Sequence, residues 1–176
     1  VWAIDSISGT STFLAGLPHY AIVVSHLING EVSFAAVYDP AMDELYTAEL
    51  DKGAFCNGKK ICVSNNNDVK IRVVANISHR AVKEEKILEK LIDMGVNMYR
   101  NRNSFAINYC EVAAGKYDGV VVRCKDTFPE LAGSLIINEA GGKFTNKNGH
   151  VICPEDRHFV GGNTKAYDLL KDFFRS

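Results

Sequence analysis

One carboxylate, Asp5, stands inside the stretch WAIDSISGTSTF (residues 2–13), with Ser, Gly and Thr following it in quick succession. A turn of small residues with free backbone N–H groups holds an anion well. A carboxylate beside it could hold a cation. The chemistry implied is the handling of an anionic group next to a metal ion, although one carboxylate is a sparse ligand set. The apolar run before Asp5 reads as the end of a strand, and DSISGT as the turn that follows.

No other cluster competes with this one. The five histidines, at 19, 26, 79, 150 and 158, show no metal-ligand spacing and read as surface or core residues. The cysteines at 56, 62, 110, 124 and 153 are odd in number and lack a CxxC pair, as expected of reduced thiols in a cytoplasmic protein. Arg100 and Arg102 flank a helix start, where they would meet a phosphate, a subunit partner or only solvent. With 20 basic and 21 acidic residues the net charge is −1, so no basic excess points to nucleic acid or an anionic membrane. No run is long and apolar enough for a membrane span, and no signal peptide is visible. Hydrophobic residues make up 47% of the 176, enough for a sizeable core.

The elements that must position the loop fall into two groups. HYAIVVSHL (19–27), EVSFAAVYDP (31–40), DELYTAEL (43–50) and the short strand closing DKGAFCNGKKICVS (51–64) read as an antiparallel meander with Asn29-Gly30 and Asn57-Gly58 turns. The polar NNNDVK (65–70) is the best boundary, dividing the chain into 1–68, with the loop, and an α/β lobe, 69–176. In that lobe strands are expected at 71–77, 118–124, 142–146 and 158–163. Helices are expected at 83–95, at 103–116 with Ser104 as N-cap, at 128–142 with Pro129 in its first turn, and at 164–176 capped by Thr164. The chain opens at Val1 inside a strand, which predicts further residues upstream.

Several of these stretches resemble the inositol monophosphatase family of magnesium-dependent inositol and sugar phosphatases. Its first signature runs roughly Trp-x-Ile/Val-Asp-Pro-Ile/Leu-Asp-Gly-Thr-x-Asn-Phe, and Trp2, Ile4, Asp5, Ile7, Gly9, Thr10 and Phe13 fit it in register. VYDP, DELYTA and GAFCNG fall in the family's order and spacing. FPELAGSLIINEAGG (128–142) is similar to the helical second signature and ends in the same Glu-Ala-Gly-Gly. The resemblance implies an α/β fold, a layered α-β-α-β-α sandwich lacking its N-terminal helices. It also implies two or three Mg²⁺ ions held by carboxylates, hydrolysis of a small phosphorylated substrate by metal-activated water, and a homodimer.

Carried over residue by residue, the resemblance makes Asp5 a metal-bridging carboxylate and the Ile7 carbonyl a metal ligand. Gly9 and Thr10 hold phosphate through backbone amides, and the Thr10 hydroxyl helps position water. Asn103 and Ser104 fall where the family contacts substrate hydroxyls. Ser8 stands where the family has a second bridging Asp, Pro129 where it has the Asp of the second signature, and Val122 near a substrate-contacting acid. Asp126, three residues upstream of Pro129, is the alternative metal ligand if the loop bends. Losses on this scale predict weak or absent turnover on a preserved fold.

Overall fold

The structure is a computed structural model that describes residues 1–65, 70–77, 84–99, 104–124, 127–153 and 155–174. Six strands form one antiparallel meander in chain order: β1 (Trp2–Ser8), β2 (Ala21–Ile28), β3 (Glu31–Asp39), β4 (Glu44–Glu49), β5 (Gly53–Cys56) and β6 (Lys59–Lys60). Both Asn-Gly pairs take the left-handed conformation at each residue, as tight hairpin turns demand. Between β1 and β2 lies a five-residue helix, α1 (Thr10–Leu14).

The second sheet has the order β10-β11-β9-β7-β8. Its strands are β7 (Arg72–Ile77), β8 (Asn97–Tyr99), β9 (Gly119–Arg123), β10 (Lys143–Asn146) and β11 (His158–Gly162), and the β7 pairings to β8 and β9 are parallel. Helices α2 (Glu84–Asp93), α3 (Phe105–Ala113), α4 (Phe128–Glu139) and α5 (Thr164–Leu170) complete the described elements: two sheets and five helices of a mixed α/β fold.

The layers follow from which apolar face meets which. Ala21, Val23, Ala35, Val37, Tyr46, Ala48 and Ala54 project from one face of the first sheet into a core shared with α3, α4 and the Val120, Val122 and Phe159 side of the second sheet. The opposite side of that sheet, with Val73, Ala75, Val121 and Val160, packs with Leu91 of α2 and Tyr167 and Leu170 of α5. The order is therefore sheet, helix pair, sheet, helix pair. Helices α3 and α4 approach closely because Gly133 has no side chain: a Cβ there would lie 2.3 Å from the Tyr109 ring.

Four local expectations are corrected. The strand β1 does not end before DSISGT but runs through Ser8, because β2 continues to pair with it. Residues 10–14 form a helix instead of continuing the turn. The terminal helix is capped by Asn163, whose Oδ1 accepts from Ala166 N at 2.8 Å, and Thr164 is its first helical residue. The strand β8 was not anticipated; at three residues its own pattern is too short to read, and its pairing comes from β7.

Candidate functional site

The loop after β1 owes its shape to a bulge. Asp5 pairs with Val23 and Ser8 with Ala21, so β1 carries an extra residue between those pairs. A bulge re-aims the side chains beyond it. Strict alternation from the inward-facing row of Ala3 and Asp5 would put Ser8 on the outer face, yet Ser8 is only 4% exposed. Gly9 then turns the chain with φ 92, and a Cβ on it would sit 2.8 Å from the His19 carbonyl oxygen. Both facts require glycine. Thr12 Oγ1, 2.7 Å from Gly9 O and 2.6 Å from His19 O, ties this turn to the chain entering β2.

Asp5 Oδ1 accepts from Ile7 N at 3.3 Å, and Thr10 Oγ1 donates to the Ile7 carbonyl at 3.0 Å. The carbonyl implied as a ligand is thus already engaged by the hydroxyl implied to position water. Thr10 is exposed, and Gly9 and Thr10 open the first turn of α1, where backbone N–H groups have no intrahelical acceptor.

Ser104 joins this loop from 96 residues away. Buried at the N-cap of α3, its Oγ accepts from Ala106 N at 3.2 Å and donates to Ser8 Oγ at 2.7 Å. The two hydroxyls form a neutral, buried link where the family pattern sets a carboxylate. Asn103, beside Ser104, lies outside the described residues, as do Arg100, Arg102 and Asp126.

At α4, Pro129 is buried in the first turn, which suits a residue without an N–H, and it offers no side-chain ligand. Glu130 is fully buried and accepts from the Tyr109 hydroxyl at 2.7 Å, a bond across the α3–α4 interface. Its role is to join the two helices, which helix-dipole reasoning alone does not reveal. Val122 is buried in β9 and contributes to the core. Among the described residues no three His, Cys, Asp or Glu side chains converge as a metal site. One half-buried carboxylate, two linked hydroxyls and a proline do not fit a pair of Mg²⁺ ions, which need several anionic oxygens each.

Two anchoring contacts were missed in the sequence. Glu139, the Glu of Glu-Ala-Gly-Gly, accepts from Asp51 N at 2.9 Å and Gly53 N at 2.7 Å, pinning the end of α4 to the loop before β5. Asp118 is 2% exposed and accepts from Arg72 Nε at 3.1 Å, Arg72 Nη2 at 2.9 Å, Arg72 N at 2.8 Å and the Ser64 hydroxyl. Burial opposes its charge, but the donors from Arg72 and Ser64 outweigh it and hold the carboxyl below the usual range. The recurrence of Glu-Ala-Gly-Gly was the only sequence signal for the first contact; the second had none.

Comparison with known proteins places this arrangement. The inositol monophosphatase family description matches residues 1–173. An inositol-1-monophosphatase of Rhizobium meliloti is 37% identical over 97% of this chain, which spans 66% of that protein, just under two thirds. A Nus factor SuhB of Pasteurella multocida is 32% identical over 99% of the chain, with 70% of its own length covered. An IMPase structure from Thermotoga maritima superposes with a TM-score of 0.87 at 32% identity, covering 98% of this chain and 67% of that one. With the family description matched over residues 1–173 and the fold shared at a TM-score of 0.87, the chain belongs to the inositol monophosphatase family.

Proposed function

We propose that this chain is a phosphomonoesterase-type member of its family whose Mg²⁺-dependent turnover of inositol monophosphate or a related sugar phosphate is severely weakened. The observation that carries the reading is the buried Ser8–Ser104 hydrogen bond of 2.7 Å at the position of a bridging carboxylate. Removing that charge, together with the one lost at Pro129, takes away most of the attraction that holds hard divalent ions. Gly9, Thr10 and Asp5 keep the loop's shape, so a small phosphorylated ligand remains the expected partner. Cytoplasmic location and a homodimer are carried with this reading from the family resemblance.

A non-catalytic role, binding a phosphorylated ligand or a protein partner, is favoured by the same losses and by similarity to proteins named Nus factor as well as to phosphatases. The test is release of inorganic phosphate from inositol-1-phosphate by the purified chain with millimolar Mg²⁺. Turnover at or near background supports the proposal; clear Mg²⁺-dependent turnover overturns it.

A further inference from the structure

Side chains that carry positive charge line up at one end of the second sheet. Arg123, the last residue of β9, pairs directly with His158, the first residue of β11. Lys147 follows β10 and its N–H donates to the His158 carbonyl at 2.9 Å, which carries the row onto a third strand. The ladder still holds one step beyond, where Cys124 N donates to Arg157 O at 3.0 Å. Paired residues share a face, and so do residues two apart along a strand. Val121 and Val160 belong to the core on the α5 side, so Arg123 and His158 face that side as well. Val122 points the other way, into the core shared with the first sheet. The row is therefore separate from the loop after β1.

Like charges set opposite one another weaken a sheet. The charges that act on the His158 ring are those of Arg123 and Lys147, both positive. The chain after α5 meets the row with an aromatic ring: Phe174 lies edge-on to the His158 imidazole, centroids 4.8 Å apart. Arg123 and His158 are half-buried. Arg72, in the same sheet, gives its guanidinium to both Asp118 oxygens and to Gly115 O. Among the described residues the Arg123 guanidinium has no such acceptor, and the His158 ring has no hydrogen-bonded partner. A guanidinium fork, an imidazole and an ammonium lie in a row that spans about 10 Å over three strands. A single carboxylate brings one charge to such a row. A phosphoryl group brings three acceptor oxygens and roughly two negative charges, which suits the fork and its neighbours better.

We propose that Arg123, His158 and Lys147 form a binding site for a phosphoryl group on the α5 side of the second sheet. Filling it removes the repulsion along the row. Burial and two positive neighbours hold the His158 imidazole below its usual 6.5, and an anion seated among them acts in the opposite direction. Anion and proton therefore bind cooperatively, each favouring the other.

The test follows the His158 ring by proton NMR, its resonance identified by its absence from His158→Gln. The purified chain is titrated from pH 8 to pH 5 in NaCl alone, in inorganic phosphate and in inositol-1-phosphate, all at equal ionic strength because salt by itself screens surface charge. Expected is a midpoint raised by about half a unit, roughly a threefold coupling between anion and proton. Arg123→Gln should lose this shift and melt no earlier than the parent in NaCl, since it relieves repulsion. Lys147→Gln, at an exposed position, should keep the direction of the shift with an apparent affinity about tenfold weaker. Asp5→Asn, in the loop after β1, should keep the shift in full. Equal responses to the two phosphates support the phosphoryl group as the whole ligand; a response to the ester alone supports a site that also reads the esterified group. A midpoint that moves no further in either phosphate than in NaCl overturns the proposal. So does a shift that survives Arg123→Gln or vanishes with Asp5→Asn.

Discussion

By the family resemblance Ser8 falls where a carboxylate would serve a metal, and without that ion a carboxylate there would be a liability. Aspartate at this buried position would face the Ser104 hydroxyl with no cation to offset its desolvation, at a cost of about 1–3 kcal/mol. Ser8→Asp is therefore expected to melt earlier than the parent in metal-free buffer. Ser8→Asp with Pro129→Asp should regain part of that loss as Mg²⁺ or Mn²⁺ is added, because binding to the folded state stabilises it by mass action. Calorimetric titration checks the same point: measurable heat in the double variant and none in the parent. Tight binding by the parent would show that another carboxylate, Asp126 foremost, serves in place of the lost ones. The missing charge was legible in the sequence because Ser8 falls in register with a signature. The burial of Ser8 was not, since it depends on a bulge set by how β2 pairs.

Among the elements, α4 is the piece that fills the core between the two sheets. It packs on the first sheet, on α3 and on β10, and every residue from Pro129 to Ile137 is buried. Such a helix presents no exposed polar face over that stretch, so periodicity says little about its facing, and the local sequence signal for it was Pro129 in the first turn. Gly133 marks its contact with α3. Gly133→Ala would drive a methyl into the Tyr109 ring, costing about 1–3 kcal/mol through forced displacement. Because Tyr109 also donates to Glu130, the variant should lose more in thermal melts than an alanine at an exposed helix position, where the change would stabilise. Longer elements were readable from their patterns. The five-residue α1 and three-residue β8 were not, because their existence depends on neighbours: Gly9 O accepting from Thr12 N and Phe13 N, and β7 offering an edge.

At the scale of the molecule, Asp118 joins Arg72 at the start of β7 to Ser64 beyond the first sheet, and Asn163 Nδ2 donates to the same Ser64 hydroxyl at 2.9 Å. Acid should loosen the protein in two stages. Burial, with Arg123 and Lys147 adding to it, lowers the pKa of His158 below 6.5. The unfolded chain then binds the extra proton first, and stability falls as pH drops through that value. Asp118 is also depressed, so its contribution is present above its ordinary pKa of 3.8 and is lost as pH falls below it. Melting temperatures from pH 7.5 to pH 3 should decline in both windows. His158→Gln should flatten the upper one alone. The layer order was recoverable from sequence only through the family resemblance; composition and periodicity stop at a meander followed by an α/β region. The chain order of those layers has a consequence during synthesis. The first sheet is complete by Lys60, but the helix that covers its inner face ends at Glu139. At about 5–20 residues per second a ribosome needs roughly 4–16 s to deliver that cover. Through that interval the inner face of the nascent meander is bare, so holdase chaperones and slow translation of residues 61–139 should govern how much of this protein a cell recovers in soluble form.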